Sequence, residues 1–176
     1  IKNFKKAGIK KIYIVTGYQN QKFRKYKIKK IFNHKWKSSS IFFSLYKAKK
    51  LLKHNTCIVS YGDIFYKYSA LKKLKSSKGS IVLLSLKNWK SKWKTRFKRP
   101  LSDLESFTYD NKKYLIKIGD KVKNYNQIKG QFTGLFKFNP NGWAKVERFL
   151  DGKNKKTFFK KDITGFLKQF IKEKNN

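Results

Sequence analysis

Between Ser40 and Leu86 the chain alternates an amphipathic helix, a buried strand, a short helix and a second buried strand, which restricts it to an α/β fold. The helical stretch from Ser40 to Leu52 places Ile41, Leu45, Ala48 and Leu52 on one face. Thr56-Cys-Ile-Val-Ser-Tyr-Gly-Asp63 then carries apolar and β-branched residues into a core and ends on a glycine that permits a sharp turn. A short helix near Ala70–Leu74 leads to Ile81-Val-Leu-Leu-Ser-Leu86, a second apolar run of strand length. Strands joined through helices predict a mostly parallel mixed sheet with crossover connections.

The flanking segments extend the pattern. Asn3 to Ala7 reads as a helix end with Gly8 as its C-cap, and Lys11 to Thr16 as a strand turning at Gly17. Gln21 to Tyr26 suits a short helix or turn, and Ile28 to Phe32 a short strand. After Leu86 the character changes. Phe107 to Ile118 predicts a hairpin turning at Asp110-Asn111, and Gln131 to Phe138 a further strand. Pro140 opens a helix from its first turn, and Asp162 caps a last helix over Ile163–Lys172. Residues 1–176 are expected to form a single domain with a real core. There is no Met, and Ile1 to Ile9 reads as a helix end running into a strand, so the expectation is a portion of a longer reading frame.

Composition narrows the function classes. A hydrophobic content of 39% with 4 Trp, 10 Tyr and 16 Phe argues against disorder, despite a net charge of +37. No apolar run approaches the roughly 20 residues of a membrane helix. The single Cys57 lies mid-strand and suits a small core residue in a reducing, cytoplasmic setting. The bases are 42 Lys and only 4 Arg. Geometric readout of phosphates or bases favours Arg forks, so the lysines read as solvated faces that bind polyanions non-specifically at low salt.

Five constellations carry candidate chemistry. Asp63 is one of nine acids and sits where a strand ends, the edge at which open α/β sheets bind ligands. It suits either a Mg²⁺ ligand on a triphosphate or a turn residue or N-cap for the helix near Ser69. Asn33-His-Lys-Trp36-Lys-Ser-Ser-Ser40 offers Asn33 and Trp36 to a base, and Ser38, Ser39 and Ser40 as caps whose amides and hydroxyls face the sheet edge. The same segment also suits an ordinary serine-rich capping loop. Trp89, Trp93 and Arg96 precede Pro100-Leu-Ser-Asp103-Leu-Glu105, with Arg96 suited to clamp a phosphate. Ile118-Gly119-Asp120-Lys121 delivers a lysine after a strand, and Gly134 inside Gln131–Phe138 allows close approach by a ligand or backbone.

In order and spacing these pieces resemble the sugar-nucleotide pyrophosphorylase, or nucleotidyltransferase, superfamily. The similarity is greatest to its choline-phosphate cytidylyltransferase-like branch. It runs from Gly8-Ile9 and Val15-Thr-Gly17-Tyr18, through Tyr61-Gly62-Asp63-Ile64, to Gly130-Gln131-Phe-Thr-Gly134-Leu135. The resemblance implies a Rossmann-like α/β/α fold, here truncated at both ends. It implies transfer of a nucleotidyl group from an NTP, with CTP or another pyrimidine nucleotide favoured, to phosphocholine or a sugar 1-phosphate. Pyrophosphate is then released.

By the same resemblance, Asp63 holds Mg²⁺ with Gly62 beside the nucleotide, and the Asn33–Ser40 loop recognises the base. Lys121 grips the acceptor phosphate, while Arg96, Glu105, Gln131 and Gly134 serve the acceptor pocket. The superfamily's Gly-rich first strand is expected before Ile1, and its second metal-binding aspartate on a strand after the last helix. Two other classes stay open: a basic polyanion-binding protein, and a non-catalytic relative that keeps the fold for partner contacts.

Overall fold

The computed structural model describes residues 1–174. Its first helix, α1 (Lys2–Lys6), closes at Gly8, which has φ +72°. The Gly8 amide donates to the Lys5 carbonyl at 2.9 Å and the Ile9 amide to that of Phe4 at 3.0 Å. That is the reciprocal C-terminal cap expected of a glycine there. Strands β1 (Tyr13–Thr16) and β2 (Lys29–Phe32) pair in parallel.

The amphipathic stretch after Ser40 forms two helices, α2 (Ile41–Lys47) and α3 (Lys49–His54). The continuous helix expected from its periodicity is broken at Ala48, which leaves helical geometry at φ −87° and ψ 9°. The Ala48 amide bonds to Leu45, one residue short of the α-helical partner. This break lets the two halves pack on different neighbours, α2 against α7 (Lys155–Phe159) and α3 against α6 (Pro140–Leu150).

Next come β3 (Cys57–Ser60), α4 (Tyr68–Ser76), β4 (Ile81–Leu86) and α5 (Trp89–Arg96). The hairpin strands β5 (Glu105–Tyr109) and β6 (Leu115–Lys121) turn through Asp110 as expected. Strand β7 (Gln131–Phe138) runs antiparallel between β3 and β4. Both ladders of this sheet are antiparallel, in place of the mostly parallel mixed sheet expected from sequence, because β7 enters between β3 and β4, which are parallel in direction and meet only through it. The single parallel ladder among the described residues is β1 with β2. The last helix, α8 (Ile163–Lys174), starts at Asp162, whose Oδ1 accepts from the Gly165 amide at 2.7 Å.

Strand alternation builds the layers. On one face Cys57, Val59, Ile81, Leu83, Phe136 and Phe138 meet a core of Phe42, Trp143 and Phe166 from α2, α6 and α8. On the other, Ile58, Val82, Leu84 and Leu135 meet Leu71 and Leu74 of α4. Lys137 faces the same side as Leu135, and its amine reaches the Ser77 carbonyl just past α4. This is an α/β/α sandwich, as expected. Burial raises the Cys57 thiol pKa, which suits an inert packing residue.

Phe42 is fully buried and stacks on Phe166 with ring centroids 3.9 Å apart. Phe42→Ala removes that ring from a site walled by two helices and a sheet. Urea unfolding is expected to show a loss of about 3–5 kcal/mol, with the slope unchanged.

Candidate active site

A cleft of about 770 Å³ opens where the carboxyl end of β3 meets β7, the start of β5 and the start of α8. It gathers five of the residues singled out from sequence: Asp63, Arg96, Glu105, Gln131 and Gly134. Gly62 lies beside it, in a neighbouring apolar groove between β1 and β3 that Asp63 also lines. Asp63 is exposed in the turn after β3. It does not cap α4, whose N-cap position is held by Lys67. Among the described residues its carboxylate forms no salt bridge, and three of the chain's nine acids, Asp63, Glu105 and Asp162, share this one cleft.

Gly134 explains how the Tyr61 ring, just past β3, lies directly against β7. It has φ +74° and lies where the β4–β7 register slips between Leu83 and Ser85. Its carbonyl accepts from the Tyr61 amide at 3.0 Å, and the Tyr61 ring lies over its α-carbon. A methyl group there would sit 2.6 Å from the ring. Tyr61 therefore forms a wall of the cleft two residues before Asp63. Burial raises its phenol pKa far above the ordinary value, and the Asp162, Glu105 and Asp63 charges add to the shift. The hydroxyl is a permanent donor at any working pH.

Gln131 is buried, and its Nε2 donates to the Glu105 carbonyl at 2.7 Å, tying β7 to β5. Glu105 is half-buried. Burial raises its carboxyl pKa, a hydrogen bond from Thr164 opposes the shift, and Asp162, Asp103 and Asp120 raise it further. Ionisation therefore costs stability. The cost is absent below the unfolded carboxyl range and complete once pH has passed the higher folded value. Glu105→Gln keeps a carbonyl for Thr164 and removes the charge. Its thermal midpoint is expected to match wild type near about pH 3 and to exceed it increasingly up to about pH 7. Melting curves across that range check this.

On the opposite wall, Trp93 Nε1 donates to Asp103 Oδ2 at 2.9 Å, and the Arg96 guanidinium lies 5.6 Å from the Trp93 ring centre. Trp93 thus props Arg96 at the cleft, and no carboxylate among the described residues neutralises that charge.

The other expected residues lie elsewhere. Lys121 is exposed opposite Glu105 in the hairpin register and does not line the cleft, so its expected grip on a phosphate is not formed here. Its neighbour Asp120 bonds Lys168 at 2.5 Å, and that hydrogen bond holds the Asp120 carboxyl pKa below its ordinary value. Asn33 is 2% exposed, with its amide spent inside the loop. Nδ2 donates to Ser39 Oγ and Ser44 Oγ, each at 3.1 Å, and Oδ1 accepts from the Lys35 amide at 3.0 Å.

Trp36 packs across Gly17 and tilts against Tyr18, their ring centres 5.2 Å apart. The serines do not cap α2 with their side chains. Ser38 and Ser39 bond back to the Lys35 carbonyl, and the Ser40 hydroxyl donates to the Lys161 carbonyl, tying α2 to the approach of α8. Tyr61, Lys92 and Thr164 line the cleft without having been singled out, and Asp162 does so beyond its capping role. An acid at a helix start signals a cap whether or not it also faces a cavity.

The donor set suits magnesium. No cage of three or more His, Cys, Asp or Glu side chains exists among the described residues. Mg²⁺ requires none, since one or two carboxylates and substrate phosphates hold it. Asp63 and Asp162 offer hard carboxylate oxygens to one cleft, with Asp162 partly committed to its cap. No described helix is long and apolar enough to cross a membrane.

No family model matches the chain. It is 31% identical over 192 residues to the CTP:phosphoglutamine cytidylyltransferase of Campylobacter jejuni subsp. jejuni serotype O:2, an alignment covering 100% of this chain and 76% of that protein. Among solved structures it superposes on the inositol-1-phosphate CTP transferase of T. maritima with a TM-score of 0.67 at 17% identity, covering 97% of this chain and 66% of the other. A Bacillus anthracis protein described as a glucose-1-phosphate thymidylyltransferase gives 0.68 at 15% identity, with 97% and 68% covered. Both superpositions bear on the fold alone.

Proposed function

The chain belongs to the nucleotidyltransferase superfamily, and from that premise we propose that it transfers a cytidylyl group from CTP to a small phosphorylated acceptor, with Mg²⁺ as cofactor. The observation that carries this is the convergence of Asp63, Arg96, Glu105, Gln131 and Gly134, far apart in sequence, on one cleft. CTP is favoured because the relative that spans the whole chain is named a CTP-dependent cytidylyltransferase.

Nucleotidyl transfer asks the protein for position and charge neutralisation more than for covalent chemistry. An acceptor phosphate oxygen attacks the α-phosphorus of CTP, the bond from that phosphorus to the β-phosphate oxygen breaks, and pyrophosphate leaves. When bound, Mg²⁺ would supply charge neutralisation at the triphosphate. Asp63 would hold it, with Asp162 as a second carboxylate lining the same cleft. Arg96, without an acid partner among the described residues and braced on Trp93, orients the acceptor phosphate as a fork. Tyr61 contributes a hydroxyl donor, and Gln131 and Gly134 shape the acceptor wall. Base recognition falls to the Asn33–Ser40 loop, with Trp36 supplying a ring face and Asn33 holding the loop's shape. Lys121 requires movement of the β5–β6 hairpin to reach an acceptor.

The half-buried Cys57 thiol suits a reducing cytoplasm. Polyanion binding through the lysine faces is a bulk-charge effect, lost at moderate salt. The test pairs each of CTP, UTP, dTTP and ATP with phosphocholine, glucose 1-phosphate and inositol 1-phosphate, and reads pyrophosphate. Release with CTP and one acceptor is expected. Release with no pair, or equal release without acceptor, overturns the proposal.

A further inference from the structure

Phe65 is 103% exposed, as open to water as a side chain can be, in a protein whose other large apolar side chains are mostly packed. Its exposure is not the accident of a loose loop. The residues on either side are anchored: Ile64 and Tyr66 pack into the cluster around Leu71 and Leu74. The Tyr66 carbonyl accepts from Asn3 Nδ2 at 2.8 Å, and its ring meets Phe4 edge-on. Between these anchors Phe65 stands at the cleft that holds Asp63 and Arg96, whose lining it shares with Ile64. An apolar ring held in water by a fixed backbone gains free energy when something covers it. It lies two residues, a span of about 7 Å at most, from Asp63.

We propose that Phe65 is an acceptor-contacting specificity residue, whose ring covers the carbon body of the phosphorylated acceptor once its phosphate lies between Asp63 and Arg96. This rests on the nucleotidyl-transfer assignment made above. The base of the nucleotide is the less suitable partner for the ring, because the loop assigned to it, Asn33 to Ser40, does not line this cleft. The ring gives an apolar face and a negative quadrupole, so it receives aliphatic carbon or a quaternary ammonium equally well.

Pyrophosphate release is measured at saturating CTP and Mg²⁺ while phosphocholine or glucose 1-phosphate, whichever is turned over, is varied. Phe65→Ala is expected to raise the acceptor KM about tenfold, from loss of the ring's buried face. The kcat and the CTP KM stay within about twofold, and Phe65→Tyr restores the acceptor KM. Because the ring packs on nothing among the described residues, both variants should melt with wild type. An unchanged acceptor KM, an equal rise in the CTP KM, or a change in oligomeric state measured by light scattering overturns the assignment. No turnover by wild type with any pair overturns the nucleotidyl-transfer assignment itself, and the role of Phe65 falls with it.

Discussion

Asp63→Ala is expected to reduce pyrophosphate release at least about 10³-fold at saturating CTP, acceptor and Mg²⁺, with the fold intact. The carboxylate forms no salt bridge among the described residues and caps no helix. Its removal therefore costs little stability, within about 0.5 kcal/mol by thermal or urea unfolding. Asp63→Asn separates charge from shape. It keeps an oxygen and the turn but loses the charge that a divalent cation needs, so it should fall nearly as far as the alanine variant. Full activity in either variant would sink the assignment of Asp63. A loss accompanied by a large drop in melting temperature would return it to a structural turn residue.

The second large effect is expected at Gly134, where an alanine meets two penalties at once. Its backbone lies at φ +74°, and its new methyl group would stand 2.6 Å from the Tyr61 ring. Left-handed geometry costs an alanine about 1–2 kcal/mol, and forcing the ring aside adds about 1–3 more. Gly134→Ala should therefore lower the free energy of unfolding by about 2–5 kcal/mol. Tyr61 lies two residues before Asp63, so displacing the ring displaces the carboxylate proposed to hold Mg²⁺. Misplacement by about 1 Å costs about 10²-fold in rate.

A double-mutant cycle isolates the steric part. In a Tyr61→Ala background the ring is gone, and Gly134→Ala should cost only the backbone penalty. Equal costs in both backgrounds would show that the Tyr61 contact carries none of the effect.

What was legible in the chain was local. The Asp162 cap, the Gly8 stop, the proline entry to α6 and the Asp110 turn each depend on groups a few residues apart. Each appears where its residues stand. The strand ending in Gly62-Asp63 was equally plain, because an apolar run followed by glycine and a lone acid contains both strand and exit. The break at Ala48 was not legible, since Ile41, Leu45 and Leu52 keep helical spacing straight through it. Only the separate neighbours of α2 and α3 require it.

Long-range pairing was not written in any local pattern. Gln131–Phe138 announces a strand by its composition, but nothing in it says that it enters antiparallel between β3 and β4. Nor does Asn33 signal that its amide will be spent on Ser39 and Ser44. Asp162 reads as a cap in any context and joins Asp63 and Glu105 only once α8 is seated against the hairpin.

The sequence by itself determined the α/β alternation, most element ends and the identity of Asp63 as the acid at a strand's carboxyl edge. Hydrophobic period, turn chemistry and capping act over a few residues and are written there. The tertiary structure alone decided which side chains share the cleft with Asp63. Sharing a cleft is a matter of strand order and helix seating between residues up to about a hundred positions apart, and those depend on how the two faces of one sheet are covered.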